Sequence, residues 1–450
     1  MERTLISSLN EHKGTEVTIN GWVDVARDQG KMAFFDFRDR TGVVQGVVFG
    51  KPEVLEIAKI LRSEFVVAVT GIVNERPEKM RKAGVINGDI ELEITGIEIL
   101  SKAQELPFEL NNPELHLETI LDNRPYTLKS DRSQGIFRVA ATIVQEYRQS
   151  LMNRDFLEFQ APALVGSDAE GGAEVFKVEY FNGRIANLAT SPQFYKEIMT
   201  GAFERVFTIA KIFRAEKSAT TRHLSEITQM DFEMSFIKDH NDVMDVLEAV
   251  VRDVSKAVAT KHSDVLATFD TSPALLPEIP FPRFTLREAQ EIIEREFGGK
   301  AVGELDMEPE HERQICEYAK REFGSDFVFI TEFPTSKRAF YSLEIPENPE
   351  LCRSFDLLFR GLEINSGAQR YHDYDAMVSK LESRGMDPSK FAFYLMMHRY
   401  GVAPHGGSST GLERFTARML EIPNVKEAVP FPRDINRIDI LLSKTDEVTE

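Results

Sequence analysis

Apolar and polar residues alternate with period two through most of residues 14–100, in EVTINGWVDVA, MAFFDFRD, VVQGVVFG, FVVAVTGIV and IELEITGIEIL. Such alternation is the signature of half-buried strands, and turn-forming pairs separate the runs at Gln29-Gly30, Thr41-Gly42 and Asn87-Gly88. A helical run, PEVLEIAKILR, follows the third strand. Five short strands with one helical insert suit a small closed barrel, and the OB-fold is the commonest such barrel that binds oligonucleotides. In MAFFDFRD, Phe35 and Phe37 share one face and Phe34 takes the other, so one of the two faces is core.

The period then changes. Pro107, Pro113 and Pro125 stand in a stretch with few periodic apolar positions, which reads as a hinge linker over 104–130 between an N-terminal domain, 1–103, and a larger one, 131–450. From Phe137 a helical run, FRVAATIVQEYRQSLMNRDF, precedes the strand-like FERVFTIAKIFRAE, ITQMDFEMSFI, DFVFITEF and SFDLLFRGLEI. Runs of strands with helices collected between them predict an α+β fold on a largely antiparallel sheet flanked by helices. The Pro-rich SPALLPEIPFPRFT marks a boundary at 272–285, and 284–325 reads as a helical insertion.

Composition narrows the function classes. With 42% hydrophobic and 28% charged residues in 450, the chain is a folded one. Two cysteines, Cys316 and Cys352, supply neither a disulfide framework nor a zinc site. The start, MERTLISSLNEHKG, lacks the apolar stretch of a secretory signal, and no run approaches the roughly 18 apolar residues of a membrane span. These features predict a cytoplasmic protein with no membrane partner. The net charge of −19 argues against nonspecific nucleic-acid binding. Residues 1–90, however, hold 13 Lys+Arg and 13 Asp+Glu, so the acidic excess lies wholly beyond residue 90. There Arg27, Lys31, Phe34, Arg38 and Gln45 combine cations, rings and an amide, the groups on which single-stranded bases stack and are read.

Three segments carry chemistry. In residues 203–236, two apolar runs flank Arg214, Glu216, Lys217, Arg222 and His223. A hairpin there aims several cations at one spot, as a triphosphate requires, although a solvated tip rich in charge has the same pattern. SFDLLFRGLEINSGAQRYH places Asp356 and Glu363 seven apart, on opposite faces of a regular strand unless a twist or bulge intervenes. If they converge, their hard oxygens suit Mg²⁺. In APHGGSSTGLERFTARML a Gly-rich turn ending at Gly411 feeds an amphipathic helix bearing Arg414, which fits either a close ligand approach or a simple cap.

These segments, in this order and over nearly the whole chain, are similar to the class II aminoacyl-tRNA synthetases, in the subgroup that activates aspartate, asparagine and lysine. FQAPALV resembles the family's first motif, a dimer-interface helix and strand ending in proline; FRAE and TRHLSE resemble the second; GLERFTARML with FPRDINR resembles the third. The resemblance implies ATP and Mg²⁺ as cofactors, tRNA as a partner and a homodimer. It implies that Arg214 holds the α-phosphate, Glu216 the adenine amino group, His223 and Arg222 the distal phosphates and Arg414 the γ-phosphate and adenine face, with Asp356 and Glu363 binding the metal. SPQFYK is similar to a signature of the aspartyl enzymes, in which Lys196 would contact the substrate carboxylate together with Arg370. SDAEGGAEVF resembles their mobile loop, with Glu170 at the α-amino group, and Gln193 and Ser366 complete the amino-acid site. In the barrel the spacing of Arg27, Phe34 and Gln45 resembles the anticodon-reading set, which leaves Phe35 and Phe37 for the core. The expected function is ligation of L-aspartate to tRNA(Asp); the compact layout is one in which some members also charge tRNA(Asn). The alternatives are an asparaginyl enzyme and a tRNA-independent aspartate–ammonia ligase. Ile227, where relatives carry a ring under adenine, and Ser409 and Thr410 depart from the family pattern and predict a reshaped nucleotide floor.

Overall fold

The computed structural model describes residues 2–30, 32–82, 87–166, 174–217 and 220–438. They form two compact units that divide between Glu109 and Leu110. In the first, β1 (Glu16–Asp28), β2 (Met32–Asp39), β3 (Gly42–Phe49), β4 (Val66–Glu75) and β5 (Ile90–Ser101) close into a barrel in the order β1-β2-β3-β5-β4, with α1 (Pro52–Ala58) after the third strand. Alternation decides the faces as expected. Phe35 and Phe37 are 2% and 0% exposed and stack on each other in the barrel core, while Phe34 stays half-buried on the outer face. Each buried ring stabilises the barrel by roughly 1.5–3 kcal/mol.

The second unit opens with a long helix, α2 (Asp131–Met152), whose N-cap Ser130 accepts from the backbone N–H of Ser133. Ile136, Val139, Ile143, Tyr147 and Leu151 recur every three or four residues and bury one face of it. The chain continues through β6 (Leu157–Glu158), α3 (Gln193–Phe203), β7 (Arg205–Phe213), β8 (Glu226–Ser235), α4 (His240–Lys261), β9 (Arg283–Thr285), α5 (Leu286–Phe297), α6 (Pro309–Phe323), β10 (Phe327–Thr331), β11 (Ser354–Phe359), β12 (Leu362–Gln369), α7 (Tyr374–Ser383), α8 (Ala392–Tyr400), β13 (His405–Gly411) and α9 (Leu412–Met419). Eight strands form one sheet in the order β9-β10-β11-β12-β13-β8-β7-β6, antiparallel except for the pair at each edge. α2, α4 and α9 share one apolar core with this sheet. Among the described residues no helix is long and apolar enough to cross a membrane.

Expectations for four segments are refined here. The run SFDLLFRGLEI is not one strand but two, β11 and β12, joined by a tight turn in which Arg360 and Gly361 take φ of 48° and 79°. The Gly-rich HGGSSTG is not a turn but a central strand, β13. A Cβ on Gly407 would stand 2.1 Å from the Phe232 carbonyl and 2.2 Å from a carboxylate oxygen of Glu233, so glycine is there to admit a side chain from β8. The segment 284–325 contributes α5, capped reciprocally by Thr285 and Glu288, and α6; their apolar faces pack on β10 and β11 as a core layer. The stretch 104–130, expected as a linker, is divided by the boundary at 109/110. Its second half contains short helices, and buried Arg124 donates to the carbonyls of Glu427 and Val429 at 3.0 and 2.8 Å.

His240, at the start of α4, is buried with its Nδ1 unpartnered, and burial lowers its pKa from 6.5 to about 4. The unfolded chain takes up this proton as pH falls through 6.5, the folded chain only near 4. Stability therefore falls across that window, by up to about 3 kcal/mol from this group. His240→Gln is expected to flatten the acid limb by about that amount in urea unfolding at pH 4 to 7; an unchanged slope would contradict the assignment.

Candidate active site

β12, β13 and β8 form the floor of a cavity of about 680 Å³. Its walls bring together Gln193, Lys196, Arg214, Glu216, Arg222, Glu363, Ser366, Arg370, Gly411 and Arg414, drawn from segments more than two hundred residues apart. Asp356 pairs in register with Ser366, and His223 follows Arg222 on the same loop. Glu170 lies outside the described residues. Arg27, Phe34 and Gln45 belong to the barrel unit.

At one end of the cavity, cations are held by acids in a buried network. The Lys196 ammonium, on a side chain 1% exposed, sits 2.8 Å from Asp231 and 3.4 Å from Glu233. Arg370 donates through Nε to Glu233 at 2.9 Å and through Nη2 to the Gly407 carbonyl at 3.0 Å, with its guanidinium over the Tyr341 ring. These partners hold Arg370 ionised against the cost of burial. Behind them, Glu197 accepts from Gln193 Nε2 at 2.6 Å and Tyr394 OH at 2.8 Å and lies 3.0 Å from His405 Nε2. Burial alone would raise the carboxyl of Glu197, but His405 and Arg370 hold it down to about 2. The acids were missed from sequence, although ITQMDFEMS carries a signal: Asp231 and Glu233 share one face of β8, opposite the apolar Met230, Phe232 and Met234.

At the other end lie the remaining cations and two carboxylates. The turn at Arg360 and Gly361, with a register shift at Leu357/Leu358, folds Glu363 back beside Asp356 on the neighbouring strand. The convergence thus comes from a hairpin rather than a twisted strand. Burial and then the charge of Asp356 raise the pKa of Glu363. Arg414 donates to the Glu363 carbonyl at 3.2 Å and stands 3.5 Å from its carboxylate. Arg222 donates to Glu312 of α6 at 3.0 Å, and burial, with Glu363 adding, pushes the Glu312 carboxyl up to about 7. Both oxygens of Asp356 accept from Arg338, at 3.0 and 2.6 Å. Neither Glu312 nor Arg338 stands near the motif residues in sequence, so no spacing could have marked them. Ser409 and Thr410 do not reshape the floor with free hydroxyls: Ser409 Oγ donates to Asp231 at 2.7 Å, and buried Thr410 accepts from Asn365 at 2.7 Å.

On the barrel, Arg27 is paired in register with Phe34, and Gln45 with Asp36, so all four lie on the outer face of β1–β2–β3. Arg27 is 2.8 Å from Asp36. Arg38 is taken up by Glu64 at 2.6 Å, by Asp24 at 3.3 Å and by the Trp22 ring, which removes it from the expected set of open cations; Lys31 lies outside the described residues.

Residues 116–435 match the family of tRNA synthetases class II (D, K and N), and residues 17–100 match the OB-fold nucleic acid binding domain. The chain belongs to the class II tRNA synthetases of this group. This class II synthetase is 42% identical over 434 residues to the aspartate–tRNA(Asp/Asn) ligase of Archaeoglobus fulgidus, covering 95% of this chain and 97% of that protein. It is 37% identical over 434 residues to the aspartate–tRNA(Asp) ligase of Pyrococcus horikoshii, covering 95% and 97%. Among solved structures it is similar to the asparaginyl-tRNA synthetase of P. horikoshii complexed with asparaginyl-adenylate, with TM-score 0.88, 31% identity and 97% and 99% coverage. It is likewise similar to the aspartyl-tRNA synthetase of Entamoeba histolytica, with TM-score 0.86, 28% identity and 98% and 93% coverage. Members of the family use ATP to form aminoacyl-tRNA. The fold, shared by aspartyl and asparaginyl enzymes alike, does not choose between the amino acids; the cavity must.

Proposed function

We propose that this class II synthetase is an aspartate–tRNA ligase, and the observation that carries the choice of amino acid is the buried cation pair of Lys196 and Arg370. Asp231 and Glu233 between them pair with both, and the hydrogen bonds of Arg370 use Nε and Nη2, leaving Nη1 at the cavity wall for a ligand. A substrate carboxylate meets two preorganised cations there, whereas the neutral amide of asparagine forfeits the charge-assisted bonds. The sequence relatives named aspartate ligases support the same choice.

The reaction that follows needs no protein nucleophile. The α-carboxylate of aspartate attacks the α-phosphorus of ATP, pyrophosphate leaves, and the terminal ribose hydroxyl of tRNA then takes the acyl group and releases AMP. Arg214 holds the α-phosphate and Arg414 the far end of the triphosphate, so charge developing in the displacement meets fixed donors. Arg222 and His223 serve the distal phosphates, Glu216 accepts from the adenine amino group, and Gly411 gives the nucleotide close approach to backbone. Gln193, Ser366 and Glu170 orient the amino acid. Asp356 and Glu363 both offer hard oxygens that would hold Mg²⁺, with nucleotide oxygens and water available to complete its shell. The ion, when bound, neutralises the triphosphate. In place of a ring, Ile227 offers the adenine an apolar contact.

The outer barrel face reads the anticodon, with Phe34 as the stacking ring and Arg27 and Gln45 reading edges. Phe34→Ala is expected to raise the KM for tRNA(Asp) by roughly tenfold or more, one base stack being worth about 1–3 kcal/mol, and to leave pyrophosphate exchange without tRNA unchanged; an unchanged KM would remove the stacking role. The protein works as a homodimer in the cytoplasm. Exposed Met152, Leu157 and Leu164 beside the first motif supply an apolar face for the partner, which sedimentation at assay concentration reads directly. Charging of purified tRNA(Asp) with aspartate tests the proposal, and parallel charging of tRNA(Asn) assigns the chain to one or the other group of relatives; failure to charge either would overturn the proposal.

A further inference from the structure

A side chain at the metal corner to which the sequence reading gave no role is Arg338. It rises from the turn Thr335–Lys337, lies over the Phe333 ring at 3.7 Å, and is only 16% exposed. Its guanidinium reaches Asp356 through both Nη1 and Nη2, at 3.0 and 2.6 Å, and Nη1 also donates to Ser366 Oγ at 3.1 Å. Arg384 of the segment after α7 holds this turn from outside, donating to the carbonyls of Thr335 and Arg338. A bidentate fork occupies a carboxylate more completely than any single donor. Both oxygens of Asp356 are thus engaged by Arg338, which itself faces the same cavity as Arg214, Ser366 and Arg414.

We propose that Arg338 is the resident counter-ion of the metal corner: it neutralises Asp356 in the empty enzyme, yields an Asp356 oxygen when the divalent ion arrives with the nucleotide, and turns its freed N–H donors to the anionic oxygens of the bound reactants. The inference rests on the reading of Asp356 and Glu363 as metal ligands. Its physical basis is competition. A guanidinium and a divalent cation on one carboxylate repel strongly even at an effective dielectric of about 20, so full occupation by one excludes close approach of the other. Coupling the exchange to nucleotide makes metal affinity low before ATP enters and high after, which is reciprocal by linkage. Arg338 is a positioning residue before ATP binds and a donor to the phosphate chain afterwards.

Mn²⁺ binding to the full-length chain, read from the EPR signal of the free ion, tests this without turnover. In the absence of nucleotide, Arg338→Gln is expected to bind Mn²⁺ roughly tenfold tighter than the wild type, while Arg338→Lys, which keeps the charge and loses the fork, stays within about threefold of it. In pyrophosphate exchange Arg338→Gln is expected to lower kcat by roughly a hundredfold, with the KM for aspartate changed less than about threefold, and Arg338→Lys to recover part of the loss. Unchanged Mn²⁺ affinity in a folded Arg338→Gln protein would overturn the inference and leave Arg338 a structural anchor. Asp356→Asn separates this from the reading beneath it: if Mn²⁺ binding with a non-hydrolysable ATP analogue survives that change, Asp356 is not a metal ligand and the reading itself fails.

Discussion

Lys196→Leu is expected to lower kcat/KM for aspartate in pyrophosphate exchange by about 30- to 4,000-fold, since a buried, charge-assisted partner of the substrate carboxylate is worth some 2–5 kcal/mol. The effect is large because the ammonium works in two directions. Toward the cavity it is one of two cations available to the substrate. Toward the sheet it neutralises Asp231 at 2.8 Å and Glu233 at 3.4 Å, both fully buried on β8. Removing it leaves Glu233 paired with Arg370 but Asp231, among the described residues, with only the neutral Ser409 hydroxyl as a side-chain partner, and breaking a buried pair of this kind costs roughly 3–5 kcal/mol of stability. Activity and the unfolding midpoint should therefore fall together. Adding Asp231→Asn to Lys196→Leu removes the orphaned charge and should restore much of the stability while leaving aspartate activation lost. A stable double variant with an ordinary KM for aspartate would show that Lys196 is a structural lysine.

Arg414→Ala is expected to behave differently. Its side chain is 31% exposed and its hydrogen-bond and ion-pair partner among the described residues is Glu363, so stability should change by no more than about 1 kcal/mol. Exchange kcat, in contrast, should fall by about 10²–10³, the usual consequence of removing one preorganised donor from a developing anion, about 2.7–4 kcal/mol. The pair of outcomes separates the two ends of the cavity. Lys196 is part of the folded core and of substrate choice, whereas Arg414 is held on the first turn of α9 for the nucleotide. Steady-state exchange with ATP varied, beside thermal unfolding, distinguishes them; an Arg414→Ala protein with near-normal kcat would remove it from the phosphate site.

Much of this was legible in the residues. Alternation put Phe35 and Phe37 on one face, because a closed sheet has only two faces and one is core, and the resemblance of Phe34 to an anticodon-reading residue chose theirs as the inner one. The run from Arg205 to Phe213 and that from Glu226 to Ser235 read as strands, and the charged loop between them faced a cavity as the motif required. What was hidden has identifiable causes. An apolar run with Arg360-Gly361 in its middle reads as one strand, since nothing in SFDLLFRGLEI marks the positive φ that folds it back. In His405–Gly411 glycine suggested a loop, but it is required by the close approach of Glu233 across the sheet. Ser409 and Thr410 could not be assigned because their partners, Asp231 and Asn365, come from other strands. Glu312 and Arg338 were beyond any spacing rule, each meeting its partner only through the tertiary fold.

The most direct measurement is ATP–pyrophosphate exchange by the purified chain with aspartate, asparagine and lysine supplied separately. Exchange with aspartate and none above background with asparagine or lysine is the expected result, given two cations and, among the described residues, no unpaired acid at the amino-acid end of the cavity. Exchange supported by asparagine but not by aspartate would contradict it and assign the site to an asparaginyl enzyme.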